Sequence, residues 1–251
     1  MSIFDELRRV VETGDRAVVL TILGGEHLGR KLLVREDGST AGDGPQELAE
    51  LAPGALRRGR SHVIERDDGT VFADVFGPPP RLLVYGAVDT AEALCRAAKQ
   101  LGWTTIVADA RSRFATRERV PSADELLVAW PDEAIAHVCP DLGTAIVVLT
   151  HDDKFDLPLL SAALAGDAFY IGALGSRRNQ ERRRELLRAE GVSEADLDRI
   201  SGPCGLDIGA ESPAETALST LAEILAVRAG RTGGSLKQSA HRIHADVAGK
   251  K

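Results

Sequence analysis

Between residues 81 and 230, short apolar runs alternate regularly with longer segments of helical periodicity. The apolar runs contain few polar residues, and strands without polar alternation are buried on both faces. Buried strands that alternate with helices are typical of a doubly wound parallel sheet. The region is therefore predicted to form a Rossmann-like α/β domain.

The individual elements of this domain follow from the same pattern. Five strands are predicted, at residues 82–85, 104–108, 126–129, 145–149 and 168–171. Five helices are predicted between and after them, at residues 90–101, 133–138, 155–165, 176–190 and 212–228. The last helix has the clearest start, because Ser212 is followed by Pro213 and, three residues after the cap, by Glu215.

Three consecutive prolines, at positions 78 to 80, separate this domain from the N-terminal part of the chain. A proline run fits neither a helix interior nor a central strand, so we expect a domain boundary there. Residues 1–77 are predicted to form a small α+β domain. Its helices are expected at 3–12 and 45–57, and its strands at 17–23, 30–34, 61–65 and 70–76, with a hairpin turn at Asp68-Gly69. Residues 231–251 lack apolar periodicity and are predicted to form a flexible basic tail.

Charge and composition exclude several classes of protein. The net charge is −7, whereas nucleic-acid binding depends on cations that neutralise phosphates. No apolar run approaches the roughly 20 residues of a membrane-spanning helix, and no secretory leader pattern is present at residues 1–9. The cysteines Cys95, Cys139 and Cys204 are too widely spaced to suggest a zinc site or a disulfide framework. A reducing, cytoplasmic location is the resulting expectation.

Ligands of a doubly wound sheet bind outside the carboxyl ends of the strands, so the residues directly after each strand are the site candidates. The first strand is followed by Gly86-Ala87-Val88-Asp89, where a dinucleotide site requires G-x-G-x-x-G. Val88 replaces the glycine that admits a pyrophosphate, and Asp89 adds a negative charge. NAD(P) is therefore not expected to bind, although Asp109 lies near the position of a ribose-binding acid. A turn that binds nothing is the alternative for Gly86.

The turn after the fifth strand is a better candidate for an anion site. Gly172 and Gly175 let the backbone approach a ligand closely. Ser176 is a natural helix cap, and the N–H groups at a helix start attract anions, while Arg177 adds a forked cation suited to phosphate. The alternative is a capped helix with a solvated basic face. That face would comprise Arg177, Arg178, Arg182, Arg183, Arg184 and Arg188.

The fourth strand is followed by His151 and Asp152, with Asp156 one helical turn further on. This set suits an acid–base pair or a metal, but one histidine with carboxylates is a weak ligand set for zinc. We predict neither a metal site nor a catalytic set here. Asp152 either caps the following helix or, together with His151, contacts a ligand. Cys204 precedes Gly205 on the crevice side and is the only thiol placed to react, but a lone cysteine is more often inert packing, which is the expectation here.

Four motifs together resemble the XdhC/CoxI family. In chain order they are Leu149-Thr150-His151-Asp152, the run from Tyr170 to Arg178, Gly205-Leu206-Asp207-Ile208-Gly209-Ala210, and Ser212-Pro213-Ala214-Glu215. The resemblance covers nearly the whole chain. Members of this family are accessory proteins of molybdenum hydroxylases such as xanthine and carbon monoxide dehydrogenases. They bind the molybdenum cofactor, assist its sulfuration and hand it to the apoenzyme, often as dimers.

The resemblance implies that this chain binds the molybdenum cofactor, molybdopterin, and delivers it to a molybdenum hydroxylase apoenzyme, as a homodimer and without turnover of its own. A cysteine desulfurase is a further candidate partner. The cofactor phosphate would lie near Gly175, Ser176 and Arg177, and the carboxylates of Asp109 and Asp207 would accept from polar groups of the pterin. The full predicted cofactor-binding set is Gly86, Asp109, His151, Asp152, Gly172, Gly175, Ser176, Arg177 and Asp207.

Two stretches depart from the family pattern. A Gly-Gly-Cys-Leu-Glu motif is frequent in the first domain of the family, but the matching stretch here, residues 42–47, contains no cysteine. The usual Gly-Ala-Gly-His turn is replaced by Gly86-Ala87-Val88-Asp89. Two rival functions therefore stay open, an NAD(P)-dependent oxidoreductase and an interaction module that binds no cofactor.

Overall fold

The computed structural model describes residues 2–25 and 27–239. The chain divides into two compact units, of which Pro79–Gly233 is the larger. The other unit contains the described residues up to Pro78 together with those from Gly234 to residue 239. Residues 240–251 of the predicted tail lie outside the described ranges, so its flexibility stays a prediction.

The N-terminal unit is a small α+β structure, as predicted. Its elements are α1 (Ile3–Thr13), β1 (Ala17–Ile22), β2 (Lys31–Arg35), β3 (Thr40–Gly42), a 3-10 helix (Gln46–Leu51), α2 (Ala52–Arg58), β4 (His62–Arg66) and β5 (Gly69–Phe76). The five strands form an antiparallel sheet in the order β3-β2-β1-β5-β4. The predicted hairpin is confirmed, because β4 and β5 pair with Arg66 opposite Gly69.

Two details of this unit differ from the prediction. The single helix expected at 45–57 is divided into a 3-10 helix and α2. Pro53 lies in the first turn of α2, and because proline lacks the backbone N–H that continues a helix, the helix begins again there. Strand β3 was not predicted, since three residues are too few to show a period.

The larger unit alternates strands and helices. Its elements are β6 (Arg81–Tyr85), α3 (Asp89–Gln100), β7 (Thr104–Ala108), β8 (Glu125–Leu127), α4 (Pro131–Val138), β9 (Thr144–Val148), α5 (Asp153–Leu164), β10 (Tyr170–Ala173), α6 (Arg177–Ala189), α7 (Glu194–Leu197), β11 (Ile200–Ser201) and α8 (Pro213–Arg228). All five predicted strands and all five predicted helices are present. The two-residue strand β11 and the one-turn helix α7 were missed because they are too short to carry a pattern.

The six strands of this unit are all parallel and lie in the order β11-β10-β9-β6-β7-β8. Numbered within the unit, this order is 6-5-4-1-2-3, the arrangement of a Rossmann fold. The prediction of a doubly wound sheet is therefore confirmed. The order reverses between β6 and β9, so the ligand crevice of such a sheet is expected at their carboxyl ends.

Apolar side chains cover both faces of this parallel sheet. Leu82 and Val84 of β6 pack into one core, and Leu83 and Tyr85 of the same strand pack into the other. Helices α3 and α8 contribute to the first core, and α4 and α5 contribute to the second. This burial on both sides explains why the strands read as continuous apolar runs.

Within the described residues, no helix combines the length and apolarity that a bilayer crossing requires.

The start of α8 has the predicted capping box. The Ser212 hydroxyl accepts from the Glu215 N–H at 3.2 Å, and the Glu215 carboxylate accepts from the Ser212 N–H at 2.8 Å.

Candidate functional site

The turns after β6 and β9 pack against each other at the point where the strand order reverses. Gly86 has a φ of +112°, a conformation that residues with a side chain rarely adopt. A Cβ at Gly86 would lie 3.0 Å from Thr150 Cγ2 and 3.2 Å from Thr150 N. Glycine is therefore required here by the close approach of the two turns, whether or not a ligand binds.

The start of α3 lies next to Gly86 and has an unusual composition. Val88 is the N-cap residue and offers no side-chain hydrogen bond to the helix. Asp89, the first helical residue, is exposed. A dinucleotide pyrophosphate would bind at such a helix start through free N–H groups, but here the Asp89 carboxylate stands at that start, while the side chain of Val88 packs against the first core. The charge of Asp89 is unfavourable for a pyrophosphate, and weak dinucleotide binding stays a prediction.

Asp109 follows β7 and is only 1% exposed. Its carboxylate accepts from the N–H of Ala87 at 3.0 Å, and from the N–H, Nε and Nη2 of Arg111 at 2.8–2.9 Å. Burial acts to raise the pKa of Asp109, but the hydrogen bonds from Arg111 and Ala87 outweigh it and hold the pKa below its ordinary value. In this structure, Asp109 therefore fixes the turn after β6 and the side chain of Arg111, and it is covered from solvent.

The residues after β9 that the sequence had grouped together differ in their exposure. Asp152 caps α5 by accepting from the N–H of Lys154 at 3.1 Å. His151 is exposed and forms no hydrogen bond or ion pair within the described ranges. Asp156 is fully buried, whereas His151 is exposed; burial raises the pKa of Asp156, and His151 is close enough to lower that pKa against this stronger effect. In the described part of the chain, no cluster of three or more histidine, cysteine or acidic residues is suited to a metal.

Asp156 instead forms a buried ion pair with Arg183 of α6. The carboxylate accepts from Arg183 Nη2 and from the hydroxyl of Thr150. The same guanidinium donates to the carbonyl oxygens of Leu174 at 2.8 Å and Thr150 at 3.1 Å. Arg183 thereby ties the turn after β9 to the turn after β10.

This role of Arg183 corrects the solvated basic face suggested for α6, because the side chain of Arg183 is only 2% exposed. A signal for it was present in the sequence. Gln180, Arg183 and Leu187 are spaced by three and four residues and share the buried face of the helix. Because arginine is charged, Arg183 was assigned to the exposed face and not to the buried face.

The turn after β10 leads into α6 at the same edge of the sheet. Gly175 has a φ of +142°, and Ser176 caps the helix by accepting from the N–H of Asn179 at 3.2 Å. Gly172 lies within β10, where a Cβ would come within 2.6 Å of the Tyr170 ring. The cap at Ser176 is confirmed, and Gly172 serves the packing of Tyr170.

The arginines of α6 differ in their partners. Arg182 pairs with Asp153 at 2.7 Å, Arg184 pairs with Asp198 and Glu194, and Arg188 pairs with Glu194. Arg177 and Arg178, in the first turn, are exposed and form no ion pair with any described residue. Among the arginines of α6, the two that are free to meet an anion therefore lie beside Ser176, at the start of the helix.

The segment after β11 contains two further candidates. Cys204 is 8% exposed, and burial raises its pKa to about 12, so its thiol is inert as expected. Asp207 is exposed and has no hydrogen-bond partner among the described residues. The neighbouring Gly205 donates its N–H to Glu223 of α8 at 2.8 Å, which fixes this segment to the helix.

Comparisons with known proteins identify a matching family model and several relatives. The family model described as the XdhC Rossmann domain matches residues 82–224. The chain is 32% identical to a protein of Bacillus subtilis named as a probable xanthine dehydrogenase component, over 66% of this chain and 49% of that protein. It is also 32% identical to the molybdenum cofactor insertion chaperone PaoD of Escherichia coli, over 61% of this chain and 42% of that protein.

A solved structure also shares the fold. A xanthine dehydrogenase crystal structure from Bacillus halodurans aligns with 91% of this chain and 65% of its own, with a TM-score of 0.60 and 22% identity. The chain spans about half or less of the length of the curated relatives it matches.

Proposed function

The chain belongs to the XdhC family, and from this premise we propose that it binds the molybdenum cofactor and delivers it to a molybdenum hydroxylase. The similarity to a molybdenum cofactor insertion chaperone supports both the cargo and the delivery role. Transfer of sulfur to the cofactor, with a cysteine desulfurase as partner, and action as a homodimer in the cytoplasm are further parts of the proposal.

One observation carries the proposal. Arg177 and Arg178 lie beside the Ser176-capped start of α6, and neither forms an ion pair with a described residue. This start lies at the carboxyl edge of a Rossmann sheet, where ligands of such folds bind. Free N–H groups and a guanidinium together suit the phosphate of molybdopterin.

The nine candidate residues divide into two groups by exposure. His151, Asp152, Ser176, Arg177 and Asp207 are exposed, and we propose that they contact the cargo. The remaining four, Gly86, Asp109, Gly172 and Gly175, shape the crevice through backbone conformation, close packing and the hydrogen bonds of Asp109. In this proposal the protein holds the cofactor and catalyses no reaction on it.

Mass spectrometry of the purified chain tests the cargo. Protein from cells that make the cofactor should carry molybdenum and pterin, and protein from cells unable to make it should carry neither. Absence of both from the first preparation, together with failure to bind added cofactor, would reject the proposal in favour of an interaction module.

Two arginines of the same helix test the binding place. Arg177→Ala removes a charge-assisted contact and should weaken cofactor binding by about ten- to a hundredfold. Arg188→Ala is the control, because Arg188 lies at the other end of α6 and pairs with Glu194. Equal affinities of the two variants would exclude the start of α6 as the phosphate site.

The oxidoreductase alternative predicts binding of NAD or NADP at the start of α3. We expect none by calorimetry, because of Val88 and Asp89. A double variant, Val88→Gly with Asp89→His, should improve any residual nucleotide affinity. Tight binding of NAD(P) to the unaltered chain would contradict the steric argument and favour the oxidoreductase.

A further inference from the structure

An exposed tryptophan lies where the loops after β8 and β9 meet. Trp130 is 49% exposed, and its ring centroid lies 5.5 Å from that of Phe155, in the first turn of α5. Phe155 itself is 4% exposed, and its ring packs against the tryptophan at an angle of 50°. Because the loop after β9 also borders the point where the strand order reverses, Trp130 stands at the rim of the crevice.

The backbone around Trp130 is held in place on both sides. The Tyr85 hydroxyl donates to the carbonyl oxygen of Ala129 at 3.1 Å, and the Trp130 N–H donates to the Glu133 carboxylate at 2.9 Å. Pro131 follows at the first position of α4, where its fixed φ suits the helix. A large aromatic side chain is thus presented to solvent from a well-anchored loop, although burying it would be more favourable for folding.

A cation lies beside the tryptophan. The ammonium of Lys154 is 5.3 Å from the Trp130 ring centroid and 4.7 Å from that of Phe155. Lys154 is exposed and forms no ion pair with a described residue. An indole face next to an unpaired ammonium is suited to a flat ring that carries a negative group.

We propose that Trp130 stacks on the heterocyclic ring of the cargo and that Lys154 binds an anionic substituent of that ring. The inference rests on the proposed function, which identifies the ring as a pterin. A pterin is planar, so it can cover the exposed indole face. The lysine, which has a flexible four-carbon stem, can move from the indole face toward the substituent.

Two pterins with the same ring system test the proposal directly on the full chain. The probes are neutral pterin and pterin-6-carboxylate, which adds one negative charge, and binding is followed by the anisotropy of pterin fluorescence. Trp130→Ala should weaken both probes by roughly tenfold. Trp130→Phe should restore much of the affinity for both, which separates stacking from a folding defect. Lys154→Gln should remove the preference for the carboxylate and leave neutral pterin unchanged.

A neighbouring exposed residue provides the control. Val128 is 59% exposed in the same loop, and Val128→Ser should leave both affinities unchanged. Equal binding by the unaltered chain and Trp130→Ala would overturn the inference, and so would absence of pterin binding to the unaltered chain. If Trp130→Ala instead abolished only the complex with the hydroxylase apoenzyme, the tryptophan would be a protein contact and the inference would be wrong.

The two proposals fail in different ways. Retention of molybdenum cofactor that is insensitive to Trp130→Ala would leave the delivery function standing and remove only the stacking role. A chain that binds pterins through Trp130 but never carries the cofactor would remove the delivery function, and the pterin site would remain.

Discussion

Arg183→Ala is expected to destabilise the larger unit severely. The variant leaves the Asp156 carboxylate, which is fully buried, with only the Thr150 hydroxyl as a hydrogen-bond donor. It also removes the donors of two carbonyl groups, those of Leu174 and Thr150. Removing one partner of a buried ion pair costs about 3–5 kcal/mol, mainly because the other charge stays buried without compensation. A loss of this size is a large share of the ordinary stability of a domain, about 5–15 kcal/mol.

Urea unfolding followed by tryptophan fluorescence measures this loss. The chain has two tryptophans, Trp103 and Trp130, and both lie within Pro79–Gly233, so the signal reports on that unit. Arg184→Ala is the matched control, because Arg184 lies on the same helix, its carboxylate partners Glu194 and Asp198 are exposed, and the variant loses only one contact with a carbonyl, that of Leu197 at 3.0 Å. Exposed ion pairs contribute only about 0–1 kcal/mol, so this control should unfold nearly as the unaltered chain does.

A double variant separates the charge effect from the loss of packing. In Arg183→Met with Asp156→Leu, no buried charge is left without a partner, and apolar replacements of buried ion pairs are often tolerated. The double variant should therefore be more stable than Arg183→Ala alone. The reasoning fails if Arg183→Ala loses no more stability than Arg184→Ala, or if the double variant is the least stable of the three.

Gly86, Asp109 and Cys139 each carry a further prediction. Gly86→Ala should lower the melting temperature, because the φ of +112° and the contact with Thr150 together cost about 1–3 kcal/mol; an unchanged melting temperature would contradict the close-packing argument. The lowered pKa of Asp109 stabilises the fold above about pH 4, its unfolded pKa, and this contribution is lost as the pH falls through the folded pKa. Asp109→Asn should accordingly lose less stability between pH 5 and pH 3 than the unaltered chain does, as urea unfolding at each pH will show. Iodoacetamide should label the exposed Cys139 of the native chain but not Cys204, as read by peptide mass spectrometry.

The Rossmann architecture was predictable because its strands are buried on both faces and therefore appear as continuous apolar runs. The topology rule that places ligands at the carboxyl ends then located Gly86, Ser176 and Arg177 at one edge of the sheet. The short strands β3 and β11 could not be predicted, since neither is long enough to show a period. Strand β11 pairs with β10, a strand about 30 residues earlier in the chain, whereas β3 pairs with the adjacent strand β2.

Other parts of the site could not be read from residue type alone. Arg183 has the same side chain as its exposed neighbours on α6, and only the packing of the helix shows that it is buried. Asp109 occupies the position of a ribose-binding acid, but its carboxylate already accepts hydrogen bonds from Arg111, two residues later. Trp130 follows a predicted strand without any motif around it, so the sequence drew no attention to it.

Two helix starts at the carboxyl edge of the sheet, those of α3 and α6, carry opposite charge, and under the proposed function this contrast favours α6 as the place for an anion. At the start of α3 stands Asp89, whereas the first turn of α6 has Arg177 and Arg178 and no acidic residue. A like charge about 4 Å from a bound phosphate costs about 1 kcal/mol in water and about 4 kcal/mol near a protein surface, which is a loss of affinity of about fivefold to nearly a thousandfold. This difference supports the proposal that the phosphate binds at the start of α6 and not at the start of α3. A cofactor bound in this way would lie on the opposite side of the strand reversal from the one that dinucleotides use, so loss of the glycine-rich turn is compatible with a working crevice.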